Sequence, residues 1–187
     1  MISPRLVGIA AALWAGSLQA QAVPQAGLRE GEATFRISAT IVNDFTGRAP
    51  VVRAGFQGSD LSEVRGFLEI RVADMRTGNN TRDRHMREAM HADSLPTIRF
   101  DLSHVEPGAR SGDTVSVVFA GELTIHGVTR AVRVNGRVVL RPQGADVTTE
   151  PLPVDMRDYG ITPPVRALGT LRVRPVTHVA ARLSFGQ

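Results

Sequence analysis

Apolar and polar residues alternate with a period of two over most of this 187-residue chain. Phe35, Ile37, Ala39 and Ile41 are interleaved with Thr34, Arg36, Ser38 and Thr40. Val64, Gly66, Leu68, Ile70 and Val72 share one phase against Arg65, Glu69 and Arg71. Ile98, Phe100 and Leu102 follow the same rule, as do Val115, Val117, Phe119, Gly121, Leu123 and Ile125. Val132, Val134, Gly136, Val138 and Leu140 continue it opposite Arg133, Asn135, Arg137 and Arg141. Successive strand side chains point to opposite faces, so each run predicts a strand with one apolar and one polar side. Leu152, Val154 and Met156 predict a shorter strand, and Leu171–Val173 with Val179–Phe185 predict the last ones. His126-Gly127 between two long runs reads as a hairpin turn. Val52 to Glu63 reads as a polar, glycine-rich loop. About eight antiparallel strands in a chain of this length predict an all-β fold, a closed barrel ahead of a two-sheet sandwich.

One segment breaks the alternation. Asn80-Thr-Arg-Asp83 predicts an N-cap with a carboxylate in the first turn, where it favours the helix dipole. Met86, Ala89 and Met90 then form a narrow apolar stripe at helical spacing. Pro96 bars continuation, which places the end of this short amphipathic helix near Ala92. Its stripe needs an apolar surface, and the barrel mouth or flank supplies one.

The N-terminus adds a location. Arg5, the apolar run Leu6–Trp14 and the small residues Ala20-Gln21-Ala22 predict a signal peptide over residues 1–22, cleaved after Ala22. The apolar run is too short for a membrane span. Export to the periplasm or beyond then leaves one domain, 23–187. With no cysteine, neither a disulfide framework nor a thiolate metal site is available. All 22 basic residues are arginine, interleaved with acidic ones as in Arg82-Asp-Arg-His-Met-Arg-Glu88, and the net charge is +4. That is the pattern of a solvated face; nucleic-acid binding calls for clustered basic residues with exposed aromatics.

Catalytic chemistry finds little support. His85 and His91 are six apart, off a common helical face, and the other three histidines lack ligand spacing, so no metal or other cofactor is expected. His85 reads more simply as a hydrogen-bonding partner of the Thr77–Asn80 turn. No serine stands in a Gly-x-Ser-x-Gly elbow, and no glycine-rich phosphate loop is present. Nothing in the residues requires an enzyme. The inward phase of a barrel would gather Ile37, Leu68, Ile70, Phe100, Leu123, Ile125 and Val134. Such side chains fill the core of a small barrel by default. Aromatics make up only 5% of the chain, and Gly66, Gly121 and Gly136 fall on the same inward phase. Those glycines either leave room for a ligand or serve bends in the sheets.

Phe45-Thr-Gly-Arg48, Thr77-Gly-Asn79, Arg82-Asp-Arg-His-Met86, Pro96-Thr-Ile-Arg-Phe100, Gly121 to Val132 and Asp158-Tyr-Gly-Ile161 occur in that order along the chain. As an ordered set they resemble the YceI-like family of exported bacterial proteins. The resemblance implies an extended, lipocalin-like antiparallel barrel, a periplasmic or secreted location, and a pore for polyisoprenoid lipids of the quinone or prenyl-phosphate type. It supplies no catalytic residue. On this reading the seven inward residues contact the lipid, and Arg82, Arg84 and His85 are candidates for its head group at the mouth. The alternative is a stress-related structural or interaction protein whose barrel is packed solid. A homodimer through the Met-bearing helix is compatible with either.

Overall fold

The computed structural model describes residues 27–40, 44–58, 60–166 and 171–186; the predicted signal peptide and Ile41 lie outside them. Ten strands are found there: β1 (Gly27–Ala39), β2 (Phe45–Gln57), β3 (Arg65–Arg71), β4 (Thr97–Ser111), β5 (Thr114–Ile125), β6 (Val128–Arg141), β7 (Gly144–Thr149), β8 (Leu152–Asp155), β9 (Val165–Arg166) and β10 (Leu171–Gly186). Strands β1 to β6 pair with their neighbours in chain order, β6 pairs β7, and β7 and β8 share one edge of β10. Pairing of β1 with β10, from Gly27↔Gly186 to Ala39↔Val173, shuts the ring. The result is a closed antiparallel barrel of eight staves, with β7 and β8 end to end in one of them. The barrel, rather than the sandwich, is therefore the architecture.

The alternation found in the sequence maps onto the wall. Phe35, Ile70, Leu102, Val117, Phe119, Val138 and Leu183 are buried inside, while their neighbours in the chain face outward. His126 (φ 52°) and Gly127 (φ 74°) make the two-residue turn between the paired Ile125 and Val128, as expected for a hairpin whose turn twists with its strands.

Several segments differ from the sequence reading. The predicted loop Val52–Glu63 is strand as far as Gln57, followed by a 3-10 turn at Leu61–Glu63 capped by Asp60. Gly47 and Gly55 both fall within this strand. In the barrel they lie under aromatic rings, Phe35 over Gly47 and Phe67 beside Gly55, and β2 is laddered to β1 over its first half and to β3 over its second. Tertiary pairing overrides the weak local preference. For the same reason β4 runs on to Ser111 and β10 is one strand through Pro175, with an irregularity in its pairing to β1 between Ile37 and Ala39. Gly66, Gly121 and Gly136 do not open space. A Cβ there would stand 2.3 Å from Gly55 O, 2.2 Å from Asp101 O and 2.6 Å from Thr148 O respectively. They are places where backbones approach closely.

The outer wall is held by arginine–carboxylate pairs. Arg99 bonds Glu69 and Asp101 and lies over Phe67, with Arg53 on the other oxygen of Glu69. Arg133 grips both oxygens of Glu106 at 2.7 and 2.6 Å, and His104 Nε2 lies 3.1 Å from one of them. Hydrogen bonds from Arg133 and then His104 hold the Glu106 carboxyl down at about 2, against an ordinary 4.5. A carboxyl depressed in the fold contributes stability that is present above its unfolded value and lost as pH falls through its folded one. Glu106→Gln is thus expected to be less stable than the parent at neutral pH. The gap should narrow below about pH 4.5 and close near pH 2, as read from urea denaturation across that range.

Candidate functional site

Two apolar cavities occupy the barrel, arranged along it. The first, of about 230 Å³, is walled by Leu68, Phe100, Phe119, Leu123, Val134 and Leu183 among others, and reaches Gln57, Gly58 and Leu61 beyond the end of β2. The second, of about 410 Å³, lies at the opposite end under helix α1 (Asn80–Ala89). Phe35, Met75, Ile98, Ile125 and Val179 border both and form a waist between them. Two buried apolar clusters pack around them, one along the first chamber and one reaching both.

All seven predicted interior residues border this space. Leu68, Ile70, Phe100, Leu123 and Val134 line the first chamber, Ile37 lines the second, and Ile125 lines both. Strand phase was the signal that found them. The helix stripe also lands where an apolar surface is needed, because Met86, Ala89 and Met90 roof the second chamber.

The helix begins one residue earlier than the sequence reading has it. Asn79 is the N-cap, its side chain accepting from the Arg82 backbone N–H, and the helix ends at Ala89 rather than Ala92. Asp83 stands in the first turn of the helix as expected, but it is 2% exposed rather than part of a solvated face. Its Oδ1 accepts from the Thr77 N–H at 2.8 Å and the Thr77 hydroxyl at 2.5 Å. Arg82 completes this knot. Its Nε donates to Thr77 Oγ1 at 2.9 Å and its Nη2 to Thr77 O at 3.0 Å, and its guanidinium lies 3.9 Å over the Phe45 ring. The Thr77–Asn80 turn is therefore held by Asp83 and Arg82, the role the sequence reading gave to His85. Truncating Asp83 to alanine leaves the buried Thr77 N–H without its acceptor. The expected loss is about 1–3 kcal/mol of stability in urea denaturation.

The three head-group candidates separate. Arg82 and His85 line the second chamber. Arg84 points away, its side chain 61% exposed and 3.8 Å from Glu88 one turn on. The sequence reading missed polar neighbours that the fold brings in from elsewhere. Tyr159 and Thr177 line the same chamber, the first from a 3-10 turn at Met156–Tyr159 and the second from β10. Burial pushes the Tyr159 phenol above its ordinary value, so it remains a neutral hydroxyl. Among the described residues no group of three or more His, Asp or Glu side chains is placed to hold a metal ion. Nor, among them, is any helix long and apolar enough to cross a membrane.

This is a closed eight-stranded antiparallel barrel with a hollow, aliphatic interior and polar side chains gathered at one end. The chain belongs to the YceI-like family, whose domain model matches residues 27–184. No curated protein matches it. Among solved structures it resembles a polyisoprenoid binding domain from Saccharophagus degradans implicated in plant cell wall breakdown, at 17% identity and a TM-score of 0.67, covering 87% of this chain and 98% of that one. BcnA of Burkholderia cenocepacia is similar at 15% identity and a TM-score of 0.62, over 82% and 95% of the two chains. A mutant Campylobacter jejuni YCEI protein aligns at 13% identity and a TM-score of 0.58, over 79% and 88%.

Proposed function

We propose that this protein is an exported binding protein that holds a long isoprenoid or quinone-type lipid in its barrel, without catalysing a reaction on it. The observation that carries this reading is the pair of chambers meeting at the waist, walled almost wholly by aliphatic and aromatic side chains. An apolar chain laid through them leaves water along its length, at about 0.8 kcal/mol per methylene buried. Such binding depends on area and discriminates weakly between chain lengths. The head group belongs at the helix end, beside Arg82, His85 and Tyr159, where the second chamber has its polar atoms. Arg84 has no part in it. The polyisoprenoid binding domain of Saccharophagus degradans shares this fold and supports the same use of the barrel. Residues 1–22 are its signal peptide, cleaved after Ala22, and the periplasm or the cell exterior is its place of work.

Native mass spectrometry of the protein taken from a periplasmic extract, followed by organic extraction, tests the proposal. A bound species in the isoprenoid mass range is the expected result. A clean apo mass that persists after incubation with isoprenoid quinones overturns it and leaves a barrel that works through its surface.

A further inference from the structure

The barrel wall is not laddered all the way round. β7 pairs with β6 on one side and β10 on the other, whereas β8, which extends the same stave, pairs with β10 alone. The sequence Glu150-Pro151-Leu152-Pro153 explains the break in two ways. Proline has no N–H, so neither Pro151 nor Pro153 can donate to a strand beside it. The stave also gains a residue here. Between the pairs Arg182↔Thr148 and Val179↔Leu152, β10 advances three positions and the facing stave four. Inward-facing positions consequently change from Val147 and Thr149 to Leu152 and Val154. A ladder prolonged from Gly136↔Thr149 would set outward side chains of one strand against inward side chains of the other.

The matching edge of β6 is left open. Ile125 and Val128 flank the two-residue hairpin as a bonded pair, so Thr129, Ala131 and Arg133 turn their backbone groups away from β5, toward β8. The Glu150 N–H bond to Asn135 O, 2.7 Å, bounds this seam at one end. At the other, Arg130 donates to Asp158 O at 3.1 and 3.2 Å, and His126 Nδ1 to Tyr159 O at 3.1 Å. About 17 Å of strand lies between. Behind it Val132 and Leu152 line the first chamber and Val154 the second.

We infer that this seam is the lateral passage through which the apolar chain of the ligand moves into and out of the barrel. The inference rests on the lipid-binding reading above. Parting β4 from β5, or β5 from β6, breaks ladder hydrogen bonds along their length; along the seam, among the described residues, there is no ladder between β6 and β8 to break. A slot beside both chambers admits a long, flexible chain along its length, with no need to thread it end-first past the waist.

The chain has no cysteine, so Ala131→Cys with Pro153→Cys places two unique thiols on outward, exposed positions either side of the seam. This double variant, bridged by a short bis-maleimide, is compared with the same protein capped by N-ethylmaleimide. Both are mixed with phosphatidylcholine vesicles carrying a C40 isoprenoid quinone, and the bound quinone is extracted over time. Bridging is expected to slow uptake at least roughly tenfold while the amount bound at equilibrium stays unchanged. Equal rates in bridged and capped protein overturn the passage. If neither form takes up quinone at any time, the lipid-binding reading itself fails, and the passage with it. Amide hydrogen exchange on the unmodified protein gives a second readout. Thr129, Ala131 and Arg133 are expected to exchange about a hundredfold faster than Val132 and Val134. Uniform protection along β6 would mean that the seam is sealed.

Discussion

Gly47→Ala is expected to destabilise the barrel by about 1–3 kcal/mol, far more than one methyl group costs at an exposed strand position. Gly47 faces Phe35 across the β1–β2 ladder. A Cβ on Gly47 would stand 2.1, 2.4 and 2.7 Å from three atoms of the Phe35 ring, well inside contact distance. Backbone pairing holds both residues, so the ring must swing out of its seat. Phe35 is buried and borders both chambers, which leaves the waist as the place for the displaced ring. The variant is therefore also expected to hold less lipid. A double-mutant cycle separates this mechanism from a generic loss of stability. Phe35→Ala with Gly47→Ala should be less destabilised than the sum of the single changes, by about 1–2 kcal/mol. Additive losses would show that the ring does not depend on the missing side chain.

Stripping the lipid is expected to lower the melting temperature by roughly 5–10 °C. A ligand that binds only the folded chain, present at a hundred times its Kd, stabilises by about 2.7 kcal/mol. In a domain of this size each kcal/mol moves the midpoint by about 2–4 °C. Calorimetry before and after organic extraction, then after adding back an isoprenoid quinone, should show the fall and its recovery. Arg82→Ala tests the head-group position in the same assay. It should reduce the recovered shift more for a quinone than for a headless isoprenoid hydrocarbon of equal length. A midpoint indifferent to every such lipid would contradict the binding function.

The sequence carried much of this architecture because burial on one face of a strand leaves a period-two record. That record located β1, β3, β5 and β6 and all seven interior residues named from it. It failed where pairing to a distant strand stabilises a segment of poor local preference, as in β2 with Gly47 and Gly55, and it did not single out β7. The polar end of the site was half legible. Arg82 and His85, three apart, share a face of a recognisable helix, and Arg84, two residues from the first and one from the second, stands on another. Tyr159 and Thr177 reach the same chamber from distant segments, a juxtaposition that local pattern does not encode. The seam was present in plain letters as Pro151 and Pro153. Its meaning required knowing that β6 and β10 are the neighbours on either side.

The strand that shuts the ring follows the other nine along the described chain. β10 supplies the partner for β1, β7 and β8 at once, and its contacts with β1 join residues about 150 positions apart. Non-local pairing of this kind is slow, because the chain entropy of a large loop is lost before any contact repays it. Until residues 171–186 are paired, β1 and β7 each lack a partner along one edge and the ring stays open. Closure thus waits on the most distant contacts in the chain, and until it occurs the interior is within reach of aggregation partners and hydrophobic cargo alike.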